Sequence, residues 1–157
     1  MDPVTISAAI AAASAGINLI NKIAGQVVPF LTGNAPIPKE HRMMIEGTPT
    51  EIVATMHGKE VKVITGNDLQ NLPSNIVDHI SVYNASAEKQ YALWKVVYPQ
   101  RNDSSDPVVN AKVDQQLKKI VADMKDDLDG ILDFLVSCGI QLDDHYMQFR
   151  DAIRKSS

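Results

Sequence analysis

"VTISAAIAAASAGINLINKIAGQVVPFLTGNAPIP", residues Val4–Pro38, holds one ionisable side chain, Lys22. Within it Ile6, Ile10, Ala13, Ile17, Ile20, Ala24 and Val27 are spaced 4, 3, 4, 3, 4, 3. A seam that repeats every 3.5 residues is the pattern of helices packed along their length, so the spacing predicts a helix with one apolar edge. Asp2 and Pro3 supply an N-cap and a first helical residue, and Pro29 is expected to end or kink the helix, leaving Leu31 outside it. Away from the seam lie Ala8, Ala11, Ala12, Ala15 and Gly16, small residues four apart that let another backbone approach closely. Such a helix has little side-chain volume of its own and needs larger neighbours.

Hydropathy alone suggests an export signal or a membrane anchor. A signal needs basic residues ahead of its apolar stretch, and here Asp2 stands there with no Lys or Arg. A spanning helix needs about 20 predominantly apolar residues, but Asn18, Asn21, Lys22 and Gln26 interrupt the best window. An ordinary single-pass anchor is therefore disfavoured.

Beyond the extended "TGNAPIPKE" (Thr32–Glu40), alternation changes from helical to strand-like. Ile52, Ala54 and Met56 alternate with Val53 and Thr55, His57-Gly58 turns the chain, and Val61–Ile64 returns it, which predicts a β-hairpin over about 51–65. Met43–Glu46 is a candidate third strand, and "NDLQNLPSN" is a turn region with room for one short helical piece. Three more helices follow. One is capped by Ser74 or Asn75, turns Ile76, Ile80, Tyr83, Ala87, Tyr91, Trp94 and Val97 to one side, and stops at Pro99. The longest starts at Asp106-Pro107, carries Val109, Val113, Leu117, Ile120, Met124, Leu128, Ile131 and Leu135 in line, and ends at Gly139. The last follows Asp143 with Tyr146, Phe149 and Ile153. The expected fold is mainly α: a bundle of about four principal helices with a small antiparallel β-hairpin between the first and second. Two parts are expected, the N-terminal helix (1–33) as an association or membrane element and a helical globular domain (39–157).

Composition narrows the function. The 157 residues are 45% apolar and 22% charged, so the chain can bury a core. A net charge of −4 and 5% aromatics argue against nucleic acid as a partner. The single Cys138 precludes an internal disulfide and fits a cytoplasmic, reducing setting. No phosphate loop, nucleophile elbow or dinucleotide fingerprint is present, and His41, His57, His79 and His145 lie in four different elements without metal-type spacing. No catalytic residue, cofactor or metal is assigned. Asp123, Asp126, Asp129 and Asp133 share one helix side and are a candidate acidic docking face, although the pairs Asp114/Lys118, Lys119/Asp123 and Lys125/Asp129 are also those of a solvated surface.

These features point to a non-enzymatic protein that self-assembles, or binds another protein, through helix packing, with the N-terminal helix as its association element. A first alternative is a membrane-active protein of pore-forming or cell-death type, whose N-terminal helix inserts collectively with Asn18, Asn21, Lys22 and Gln26 facing a polar interior. Its layout is similar to that of HeLo-type and other helical cell-death domains, over one helix and without a diagnostic motif. A second alternative is a small acidic inhibitor or immunity protein whose aspartate face blocks a basic target.

Overall fold

The structure is a computed structural model that describes residues 3–33, 42–47, 51–56, 59–72, 74–142 and 144–155. Its elements are α1 (Pro3–Thr32), β1 (Met44–Gly47), β2 (Glu51–Met56), β3 (Lys59–Thr65), α2 (Gly66–Gln70), α3 (Ser74–Val97), α4 (Pro107–Ser137) and α5 (Asp144–Lys155). The fold is thus mainly helical, with a small antiparallel sheet between the first helix and the later ones. Asp2, the His57-Gly58 turn and Asp143, to which caps and a turn are assigned above, lie outside the described residues.

The helix ends follow local chemistry. Asp106 accepts a hydrogen bond from the Val108 N–H at 2.9 Å, with Pro107 opening α4. At the other end Gly139 has φ +88°, its N–H bonds the Val136 carbonyl, and the Ile140 N–H bonds the Leu135 carbonyl. That is a Schellman stop, and Ile140, 3% exposed, supplies its apolar contact. A capping box opens α2: the Thr65 N–H donates to the Asp68 carboxylate, and the Asp68 N–H donates to the Thr65 hydroxyl. These bonds hold the Asp68 carboxyl below its usual range.

Pro29 does not end α1. The helix continues to Thr32 and stops at Gly33, whose φ of +72° and N–H bond to the Pro29 carbonyl make the cap. Near a C-terminus a proline removes one backbone bond, while continuing the helix seats Phe30 against Trp94 and Leu31 against the core.

The strands form a meander in the order β1-β2-β3. The third strand falls at Met44–Gly47, one residue later than the sequence suggests. In β2, Ile52 and Ala54 are buried and alternate with half-buried Glu51, Val53 and Thr55. A register shift at Ala54/Thr55 breaks the alternation before half-buried Met56. The sheet packs on α1 through β1 and β2.

α3 and α4 are the most extensively packed helices. Their lengths, and the short connection of a 3₁₀ turn (Tyr98–Gln100) and a six-residue loop, make them an antiparallel hairpin. α1 lies against this hairpin, the sheet and α5. The buried apolar residues form a single cluster that takes in Ile17, Ile20, Ile23 and Val27 of α1, each 0% exposed, alongside Trp94, Leu117, Leu128 and Tyr146. Burying each of those aliphatic side chains is worth about 1.5–3 kcal/mol.

Two glycines set how closely helices approach. A Cβ at Gly16 would stand 3.0 Å from Asn84 Oδ1 and 3.1 Å from Ile131 Cγ2, so α1 meets α3 and α4 there almost backbone to side chain. A Cβ at Gly130 would stand 2.6 Å from the Tyr83 ring. Gly25, also within a helix, has open space around it.

Helix propensity alone favours alanine over glycine by about 0.8–1.0 kcal/mol. Gly25→Ala is therefore expected to raise thermal stability by up to that amount. Gly130→Ala is expected to lower it by about 1–3 kcal/mol, because overpacking against the Tyr83 ring outweighs the propensity gain. Thermal denaturation of both variants checks the contrast, and equal shifts of the same sign would contradict it.

Candidate interaction surface

The residues proposed above for function are placed as follows. Of Ile6 only the backbone is described. The remaining seam residues, Ile10, Ala13, Ile17, Ile20, Ala24 and Val27, are all 3% exposed or less, within the chain's own core. The small-residue set is divided: Ala12 and Gly16 are buried against α3 and α4, whereas Ala8, Ala11 and Ala15 face solvent. Asn18, Lys22 and Gln26 are exposed on that same outer side.

Asn21 has a different role. Its Nδ2 donates to the Met43 carbonyl (3.0 Å), its Oδ1 accepts from the Tyr146 hydroxyl (2.6 Å), and that hydroxyl accepts from the Met43 N–H (2.8 Å). The closed ring joins α1, the residue before β1, and α5, with Tyr146 and Met43 both 0% exposed. A polar residue that looked suited to an aqueous lining is a fastener inside the fold.

The aspartate face is only partly free. Arg150, 7% exposed, pairs with Asp129 (Nε–Oδ1 3.0 Å) and Asp133, and Arg154 pairs with Asp129 at 2.9 Å. A charge as buried as Arg150 needs such partners. Asp123 and Asp126 remain exposed. Beside them Asp127 is half-buried: burial pushes its carboxyl above the usual range, a hydrogen bond from Ser86 opposes this, and the charge of Asp126 adds to the rise.

Cys138 is buried, and burial, with a smaller contribution from Asp68, pushes its thiol up to about 12 against an opposing effect of Lys62. It is the reverse of an activated nucleophile. Among the described residues no group of three or more His, Cys, Asp or Glu side chains is placed to hold a metal ion. An open cleft of about 500 Å³, lined by Met56, Lys62, Ile140, Gln141 and Asp144 among others, separates the sheet from the α4–α5 connection.

The surface least expected of a solvated helix is the outer side of α3. Its inner side follows the sequence reading, with Ile80, Ala87 and Trp94 buried and Tyr83 and Tyr91 half-buried. Opposite them, Val82, Ala85, Lys89, Ala92 and Val96 are all exposed and spaced 3, 4, 3, 4, with Leu93 alongside. Val82 is 58%, Leu93 47% and Val96 65% exposed. A surface helix ordinarily sets charge opposite its core stripe; α3 sets a second apolar stripe there, interrupted only by Lys89. At the start of α4, Val108 (61% exposed) and Val109 (44%) are exposed as well; Val109, read from its spacing as part of the buried side of α4, lies in the first turn, ahead of the point where Val113 enters the core. The outer α3 face was missed above because the inner positions account for the helix by themselves. The signal was the second heptad.

Comparison with protein-family models, with curated proteins and with solved structures finds no match.

Two solution properties follow. Because the Asp127 carboxyl titrates higher in the folded chain than in the unfolded one, its ionisation opposes folding at neutral pH, and that penalty fades as pH falls through its folded value. Asp127→Asn is expected to raise the melting temperature at pH 7 and to lose this advantage in acid. A gain that grows toward low pH would contradict the sign. Cys138 is expected to react with a disulfide reagent only as fast as the chain opens, and immediately in denaturant. Rapid modification of the folded chain at pH 8 would show an accessible thiolate instead.

Proposed function

We propose that this protein is a non-enzymatic interaction protein that works by helix packing, through self-assembly or the binding of another protein, and that the outer face of α3 is its contact. One observation carries the reading: of the eight exposed positions from Val82 to Val96, five (Val82, Ala85, Ala92, Leu93 and Val96) are apolar and the three charged ones are Glu88, Lys89 and Lys95, where solvation alone would select charge throughout. The seam of α1, the sequence's own candidate for association, is occupied by the chain's core, so the face offered to a partner is another one.

The competing readings ask more of the molecule. No described helix is long and apolar enough to cross a membrane. For α1 to insert it would have to leave the core and break the Asn21–Tyr146–Met43 ring. An acidic inhibitory face would work with Asp123 and Asp126 alone, since Asp129 and Asp133 are bound to Arg150 and Arg154.

Val96→Asp tests the proposal in the full chain. An exposed substitution changes stability by only about 0.5 kcal/mol, so the melting temperature is expected to hold. The solution mass of the wild type is expected to rise above 17.2 kDa between micromolar and millimolar concentration, and that of Val96→Asp is not. An assembly indifferent to Val96→Asp would remove α3 from the proposal, and a wild type that stays monomeric throughout would remove self-assembly.

A further inference from the structure

We infer that the partner of the outer α3 face is the same face of a second copy, packed antiparallel about a two-fold axis midway between Gln90 and Tyr91; this rests on the reading of α3 as the contact. In heptad terms Val82, Lys89 and Val96 occupy one core position and Ala85 and Ala92 the other. An antiparallel pair sets one type of core position against the other across the axis. Val96 then covers Ala85 of the second copy, and each Lys89 lies over the small Ala92, with its ammonium free to reach solvent past the methyl group.

Charge fixes the direction. Glu88 and Lys95, both exposed, lie one heptad apart on the same flank of the stripe. Antiparallel helices bring like flanks together with their order reversed, so Glu88 of each copy meets Lys95 of the other, twice by symmetry. The Lys95 ammonium lies 5.3 Å from the Tyr91 ring centroid, an exposed contact it can leave. The parallel arrangement does the opposite. It stacks Lys89 on Lys89 at the core and sets Glu88 against the apolar Leu93. The face is self-complementary in one orientation only, as a two-fold interface requires. A contact of one helix from each copy is small, so the dimer is weak and concentration-dependent.

Disulfide trapping reads the register directly, with buried Cys138 as a silent background. Residues 11 apart lie about 16 Å apart along a helix. Chains carrying Ala85→Cys and chains carrying Val96→Cys are therefore expected to cross-link with each other and not with themselves. Under parallel packing each would cross-link with itself, and that result overturns the inference. Glu88→Lys alone is expected to weaken the dimer about tenfold, as two ion pairs become two like-charge contacts, and adding Lys95→Glu is expected to restore it. A dimer unaffected by the charge reversal, or trapped only at other positions, overturns the register and leaves self-assembly standing. A chain that remains monomeric to millimolar concentration overturns the dimer itself and leaves recognition of a different protein.

Discussion

The arrangement of this fold depends on three hydrogen bonds among Asn21, Met43 and Tyr146. Apolar contact alone does not position a helix such as α1. Its core side is a run of Ile, Ala and Val at near-regular spacing, and a slide of one heptad would bury a similar set of side chains. The Asn21 amide prevents the slide, because it must meet a backbone carbonyl and a phenol that are 22 and 125 residues away in sequence. Leaving those buried groups unpaired costs about 1–3 kcal/mol each, far more than the difference between neighbouring apolar registers. One polar residue at the edge of an apolar seam sets the register, as a buried asparagine does in coiled coils.

Once α1 is fixed, the other contacts have little freedom. Gly16 is held opposite Asn84, whose Nδ2 donates to the Ala12 carbonyl at 2.6 Å, so a hydrogen bond one turn away fixes the close approach of α1 to α3. At the far end of α1, Phe30 meets Trp94 edge-on at 5.2 Å, and the Arg101 guanidinium covers Phe30 at 5.1 Å while its Nε bonds Asp114 of α4. The α4–α5 corner is closed separately by Arg150 and Arg154 on Asp129. The core is apolar, but its geometry is specified by a few polar contacts between distant segments.

Those distant contacts explain which features were legible in the sequence. Local signals gave the elements: Pro107 and Gly139 bounded α4, alternation gave the hairpin, and the spacing of Ile10, Ile17 and Ile20 gave the buried side of α1. Pro29 misled because a proline's cost is local while the gain from seating Phe30 and Leu31 is tertiary. Asn21 could not be read, since nothing near it in sequence indicates Tyr146. Spacing pairs Asp129 with Lys125 on its own helix, but its partners Arg150 and Arg154 lie on α5, and spacing along one helix carries no information about another. The outer stripe of α3 was legible as a heptad, but its apolar inner side already gave the helix a reason to exist.

The setting of Trp94 has an optical consequence. It is the chain's only tryptophan, fully buried, stacked on Tyr98 at 5.4 Å and edge-on to Phe30, and its indole N–H has no hydrogen-bond partner among the described residues. An indole so enclosed and without a polar partner emits toward the blue, and one of its walls belongs to α1. Undocking of that helix would wet the ring and move its emission to the red before the α3–α4 hairpin need open. The fluorophore therefore tracks the seating of the first helix, separately from the folding of the rest.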